Sequence, residues 1–247
     1  MQGINAQIKK SQKRVVFAEG EDPSILKAAV AFKNSKLGIP ILIGKEERVK
    51  EQLKNIGLDE NFKIEIVSSK NTEKRKKYTN YLYKKLQRSG MLERECDHLV
   101  RNDRVTWGSC MVGCGDADAM VTGGTRHHAA TIEKLNKVVD SRPGEIIFGL
   151  TMLVSKGRTV FVADTNVHDN PTAEQLVEIA ISSTRVARLF GFIPKVAFLS
   201  HSTFGKPATV RTKHVREAIE LMKSKKIDFD YDGEMQPDVA LDPEYKA

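Results

Sequence analysis

The chain has 247 residues, 40% hydrophobic and 29% charged, enough for one large domain or two small ones with buried cores. No apolar run approaches the ~18–20 residues that a membrane helix needs, and residues 1–13 lack the apolar stretch of a signal peptide. The expected location is therefore the cytoplasm, with residues 1–13 a polar tail. The net charge of +8 raises nucleic-acid binding as a question, and its distribution along the chain disfavours it.

Short β-rich runs alternate with helical patterns, which predicts an α/β protein with mostly parallel, helix-covered sheets. Residues 14–19 read as a first strand. Asp22-Pro23 then starts a helix, since Asp accepts from free N–H groups and Pro is tolerated at the first helical position. Ile25, Leu26, Ala29 and Phe32 supply its apolar face, and Gly38 ends it before a strand over 40–44. A helix over 46–56 and a strand over 63–67 follow.

Residues 70–88 hold eight basic residues and one acidic, Glu73, so nearly the whole charge excess lies there. Tyr78, Leu82 and Leu86 recur at i, i+4, i+8, the spacing of one buried stripe beneath a solvated cationic face. No recognised nucleic-acid motif accompanies the patch. A second helical stretch runs from Met91 to about Arg101, a short buried strand over 119–122 enters Gly123-Gly124-Thr125, and 131–139 is helical.

Arg142-Pro143-Gly144 is a break, and the domain boundary is placed near residue 141, giving lobes 14–141 and 142–247. Strands over 146–154 and 159–163 flank a Lys156-Gly157 hairpin turn. Residues 172–190 form a helix bounded by Pro171 and Gly191. A strand over 195–199, a helix over 212–223 and a strand over 229–231 complete the pattern. Cys96, Cys110 and Cys114 lack further ligands at metal spacing, so reduced thiols and no metal site are expected.

Ligands of open α/β sheets bind beyond the carboxyl ends of strands. The loop Thr122-Gly123-Gly124-Thr125-Arg126-His127-His128 follows one strand and opens a helix. Its glycines permit close backbone approach and its helix N-terminus suits an anion, although a tight turn explains Gly-Gly equally well. Adjacent His127 and His128 point apart on a helix, which disfavours a shared metal.

The loop Ser200-His201-Ser202-Thr203-Phe204-Gly205 is dense in hydroxyl donors for phosphate or thioester oxygens, or it satisfies its own backbone. It lacks the G-x-S-x-G pattern of a hydrolase nucleophile. In Asp164-Thr165-Asn166, Asp164 either orients a substrate group or caps the turn. Asp232-Gly233-Glu234 follows a strand, with acids that hold a donor or face water.

These loops come in an order that resembles the phosphate acetyltransferase (phosphotransacetylase) family. Val15-Val16-Phe17-Ala18-Glu19-Gly20-Glu21-Asp22 resembles its opening strand and turn, where a Pro-Glu-Gly run precedes the first helix. Ala163-Asp164-Thr165 with Asn170-Pro171-Thr172-Ala173-Glu174-Gln175-Leu176 is similar to its Ala-Asp-Thr…Pro-Thr-Ala-Glu-Gln-Leu stretch. Leu199-Ser200-His201-Ser202-Thr203-Phe204-Gly205 matches its Leu-Ser-x-Ser-Thr-x-Gly loop, and Asp232-Gly233-Glu234-Met235-Gln236 its Asp-Gly-Glu-Leu-Gln run. The collinear likeness covers residues 14–241 and looks closest to the version at the C-terminal end of bacterial malic enzymes.

The resemblance implies two lobes with an interlobe cleft, of isocitrate/isopropylmalate dehydrogenase type, where acetyl passes between CoA and phosphate. It implies substrate contacts at Thr125, Arg126, Asp164, Thr165, Ser200, Ser202, Thr203 and Glu234, with Gly123, Gly124 and Gly205 shaping the loops. CoA or acetyl-CoA is the expected substrate or effector, with no tightly bound cofactor. A homodimer and a malic-enzyme catalytic domain are the expected partners. Ser24 stands where family transferases carry an Arg, and Gly124-Thr125-Arg126-His127-His128 replaces their Gly-x-x-His-Ser-Thr loop. The family's catalytic Ser-Arg pair and base Asp lie in a segment later than Ala247, which implies a truncated module that is regulatory and binds without turnover, with its first lobe left incomplete; an active phosphate acetyltransferase is the alternative.

Overall fold

The structure, a computed structural model, describes residues 8, 11–58, 62–155, 157–203 and 209–242. The chain divides into two compact units, Met1–Asp140 and Ser141–Ala247. Most of the expected tail lies outside the described residues, and its last residue, Lys13, opens the first strand.

In the first unit β1 (Lys13–Phe17), β2 (Gly38–Ile43), β3 (Glu65–Val67) and β4 (Ala119–Val121) form one parallel sheet in the order β3-β2-β1-β4. Around it lie α1 (Pro23–Asn34), α2 (Glu46–Asn55), α3 (Thr72–Leu86), α4 (Glu93–Asn102), α5 (Arg104–Gly113) and α6 (His128–Val138). Strand side chains alternate between two faces, and helices cover both. Val16, Ala18, Ile41 and Ile43 pack with Tyr78, Leu82, Val100 and Trp107 of α3, α4 and α5. Phe17 and Leu42 pack with Leu26, Ala29, Val49 and Leu53 of α1 and α2. Burial on both faces is why β1 and β2 read as nearly unbroken apolar runs.

The Asp22 carboxylate accepts from the Ser24 and Ile25 N–H groups, and Pro23 takes the first helical position. On α3 the expected stripe is internal: Tyr78 and Leu82 are buried and Leu86 packs beside them. Tyr78 donates to Asp116 at 2.8 Å and Tyr81 to the Val138 carbonyl at 3.2 Å, so these rings serve the fold and not a stacking surface. Helix α5 was not foreseen. Asp103 breaks the chain after α4 and caps α5 by accepting from the Val105 and Thr106 N–H groups. Helix α6 begins at His128, earlier than the expected 131.

The second unit contains β5 (Leu150–Ser155), β6 (Arg158–Ala163), α7 (Ala173–Leu189), β7 (Lys195–Leu199), α8 (Val210–Ser224), β8 (Asp230–Met235) and α9 (Pro237–Leu241). β5 and β6 form an antiparallel hairpin turning at Gly157, whose φ is +79°. β7 and β8 are parallel. Val177 and Ala180 of α7 meet Val215, Ala218 and Met222 of α8 over Phe198 of β7. Thr172 caps α7, accepting from Gln175 N while the Gln175 side chain accepts from Thr172 N.

Three expectations are corrected. β5 starts at Leu150 and not at 146. β8 runs through Met235, so Asp232, Gly233 and Glu234 belong to the strand: Gly233 pairs with Phe198, and a Cβ on Gly233 would stand 2.7 Å from the Phe198 carbonyl oxygen. Helix α9 follows, with Pro237 at its start. The overall class is as expected, α/β with mostly parallel strands.

Candidate functional site

In the first unit the chain moves from β1 to β2 and β3 on one side, then returns to place β4 on the other side of β1. The crevice beyond the carboxyl ends of β1 and β4 is therefore the topological switch point, the place where open α/β sheets bind ligands. The crossing is visible in the backbone. Ala18 N donates to Val121 O at 3.1 Å on the β4 side, and Gly20 N to Ile43 O at 3.1 Å on the β2 side.

Glu19 stands between them and is 3% exposed. Its Oε1 accepts from the Thr122 hydroxyl at 3.2 Å and from Gly123 N at 3.1 Å. Its Oε2 is buried with no hydrogen-bond partner among the described residues. Gly123 has φ +98°, a conformation costly for any other residue. Gly124 lies against α1, where a Cβ would stand 2.8 Å from Ile25 Cδ1.

Thr125 and Arg126 are exposed, and His127 provides no side-chain cap to α6. Among the described residues no acceptor engages the N–H groups of Gly124, Thr125, Arg126 or His127. Nearby, burial acts to raise the Glu21 carboxyl, but Arg104 at 2.6 Å, the Lys45 N–H and Arg48 outweigh it and hold it below the ordinary value.

In the second unit the Asp164 side chain is nearly buried and its oxygens are occupied. Oδ1 accepts from Gly149 N at 2.6 Å and Val167 N at 3.4 Å, and Oδ2 accepts from His168 N at 2.9 Å and lies 2.6 Å from His168 Nδ1. This carboxylate ties its own loop to the segment that enters β5. Thr165 exchanges a hydroxyl hydrogen bond with Thr151 at 3.1 Å and donates its N–H to Gly149 O.

At the β7–β8 end the hydroxyl loop folds over the neighbouring strand. Ser200 N donates to Met235 O at 2.9 Å, Gln236 N to Thr203 Oγ1 at 3.1 Å, and Gln236 Nε2 to His201 O at 2.8 Å. Ser202 is 5% exposed and its hydroxyl has no partner among the described residues. Glu234 is 1% exposed; its Oε1 accepts from Arg216 Nε at 3.0 Å and Nη2 at 2.6 Å.

The structure thus brings Ser200, Ser202 and Thr203 beside the strand carrying Glu234, and groups Gly123 and Gly124 with Thr125 and Arg126. Gly205 lies outside the described residues. Glu19, His168 and Arg216 were not singled out by sequence reasoning. Glu19 could have been, because it follows the first strand at the place where switch-point ligands gather. His168 lies four residues after Asp164, but nothing in the spacing marks it as the partner. Among the described residues no group of three or more His, Cys, Asp or Glu side chains is placed to hold a metal, and no helix is long and apolar enough to cross a membrane.

The family model described as phosphate acetyl/butaryl transferase matches residues 1–247. The NADP-dependent malic enzyme of Rhizobium meliloti is 41% identical over 98% of this chain and 32% of that enzyme. The phosphate acetyltransferase of Nitratidesulfovibrio vulgaris is 32% identical over 95% of this chain and 33% of that enzyme. The chain therefore spans about one third of the length of these relatives. A phosphotransacetylase from Streptococcus pyogenes superposes with a TM-score of 0.87 at 28% identity, over 99% of this chain and 74% of that one. One from Staphylococcus aureus gives 0.82 at 25%, over 99% and 76%. The chain belongs to the phosphate acetyl/butaryl transferase family, as a phosphotransacetylase-like domain of the kind found in malic enzymes and phosphate acetyltransferases.

Proposed function

We propose that this domain binds a CoA thioester or acyl phosphate and acts as a regulatory module, without turning the ligand over. One observation carries the reading: the strand-end carboxylates that could take a thiol proton have buried side chains, each with at least one oxygen held by the fold. Asp164 holds its own loop, Glu234 accepts twice from Arg216, and Glu19 holds the Gly123 loop. A general base has to reach the proton it removes. Donors for anionic oxygens remain, in the N–H groups after Gly123 and the hydroxyls of Thr125, Ser200, Ser202 and Thr203. With the malic enzymes among its relatives, the partner under control is a malic-enzyme catalytic domain. A cytoplasmic site of action goes with a CoA-thioester ligand.

Self-association belongs to this reading. β5 is an edge strand of sequence LTMLVS, free of charge and proline, and Val154 on it is 64% exposed. Monomeric proteins usually guard such edges. A second copy pairing antiparallel about a two-fold axis covers it. All of the charge excess lies in the first unit, where residues 1–140 hold 26 basic and 18 acidic residues, so the second units meet without net repulsion.

A second reading, an active acyltransferase, is favoured by the His168–Asp164 contact at 2.6 Å, the pairing that orients an imidazole as a base. Calorimetry with acetyl-CoA beside an acetyl phosphate–CoA exchange assay separates the two. Binding without exchange is expected. Exchange supports the second reading, and absence of both refutes both.

A further inference from the structure

We propose that Glu19 is the positioning residue of the switch-point crevice, holding the Gly123 loop in the shape that presents its later N–H groups to an anionic ligand. The inference rests on the binding function proposed above for that loop, and it assigns the loop's geometry to one side chain.

Glu19 Oε1 takes two donors from consecutive residues, the Thr122 hydroxyl and Gly123 N. Those bonds turn Gly123 N inward. Gly123 has φ +98°, and the N–H groups of Gly124 to His127 are left without acceptors among the described residues. Successive N–H groups of this kind, ahead of an uncapped helix, form a concave anion site.

Glu19 is itself fixed from both sides, through Ala18 N to Val121 O and Gly20 N to Ile43 O. Gly20 lies close against β2, where a Cβ would stand 2.9 Å from Leu42 Cβ. The acceptor is thus mounted on the sheet, and the loop hangs from it. A residue needed only for packing at a nearly buried position would be apolar, since an isolated buried carboxylate is costly. Oε2, buried without a partner among the described residues, displays that cost. Holding the loop explains why a carboxylate is kept there.

The test compares Glu19→Gln with Glu19→Ala by amide NMR of the whole chain, with inorganic phosphate and acetyl-CoA as probes. Gln retains an acceptor for both donors; Ala does not. Gly123 N–H exchange with solvent is expected to be slow in wild type and Glu19→Gln and at least about 10-fold faster in Glu19→Ala, as for loss of a charge-assisted hydrogen bond. Phosphate should shift the Gly124–Arg126 amides, with affinity kept within about 3-fold in Glu19→Gln and lowered about 10-fold in Glu19→Ala. Unchanged exchange at Gly123 in Glu19→Ala overturns the inference. So does collapse of the whole first-unit spectrum in that variant, which makes Glu19 a general stability residue. If neither probe binds wild type, the function proposed above fails, while Gly123 exchange still decides whether Glu19 holds the loop.

Discussion

Replacing Arg216 by Met removes both hydrogen bonds to Glu234 Oε1, at 3.0 and 2.6 Å. Glu234 is 1% exposed and its Oε2 has no partner among the described residues, so its carboxylate stays behind in the interior. Breaking a buried ion pair from one side costs about 3–5 kcal/mol. The Arg216 side chain is 46% exposed, however, so water screens part of the attraction. The expected cost is therefore at the lower end, about 3 kcal/mol, or roughly 12 °C in the unfolding midpoint of a unit this small.

Urea unfolding followed by circular dichroism, with scanning calorimetry beside it, measures this. The double variant Arg216→Met, Glu234→Met removes the orphaned charge and should recover about 2 kcal/mol of the loss. A single-variant cost below about 1 kcal/mol, or a double variant no better than the single, refutes the assignment of Arg216 as the group that makes Glu234 tolerable.

Burial acts to raise the Asp103 carboxyl, but the Lys134 ammonium and the Thr106 and Val105 N–H groups outweigh it, so it titrates below its ordinary 3.8. A carboxyl depressed on folding adds stability that is full above the ordinary value and vanishes as pH falls through the folded one. Asp103→Asn, which keeps the helix cap, should cost about 1 kcal/mol at pH 7 and progressively less below about pH 4, read by urea titration. Gly149→Ala puts a Cβ 2.1 Å from the Thr165 carbonyl oxygen, a backbone atom that cannot swing aside; about 3 kcal/mol should be lost in the second-unit transition. Val154→Lys should convert a dimer to a monomer at ~10 µM by light scattering, with the thermal midpoint of the monomer unchanged; an unaltered dimer places the interface elsewhere.

The elements legible in the sequence are those whose signals are local. Asp22-Pro23 caps α1 through atoms two and three residues away, and the Tyr78–Leu82–Leu86 stripe needs only helical periodicity. Helix α5 carries neither signal. Seven of its ten residues are buried, so no polar face gives a period, and Gly108 interrupts the propensity. That glycine is present for a tertiary reason, since a Cβ there would stand 2.5 Å from Met120 Sδ. β8 misled in the opposite sense. Asp232-Gly233-Glu234 has the composition of a turn, but Phe198 leaves no room for a side chain at Gly233 and Arg216 supplies the charge Glu234 needs. Without those two partners the strand reads as ending at Tyr231.

The same limit applies to the candidate site. Glu19 follows β1 by two residues, Asp164 follows β6 directly and Glu234 is the last but one residue of β8, so all three carboxylates occupy the place where ligands of α/β sheets collect. Sequence position treats them alike. Their donors make them different: Asp164 receives three backbone N–H groups and touches His168, Glu234 receives one guanidinium, and Glu19 receives a hydroxyl and a glycine N–H from the neighbouring strand's loop. A carboxylate that gathers N–H groups from its own loop and from the neighbouring strand's entry fastens that loop in place. One facing an arginine from a helix fastens the helix to the sheet. One holding a glycine loop across the switch point shapes the surface that a ligand meets, and for that reason Glu19, absent from the residues the sequence singled out, is the carboxylate through which a change would reach ligand binding most directly.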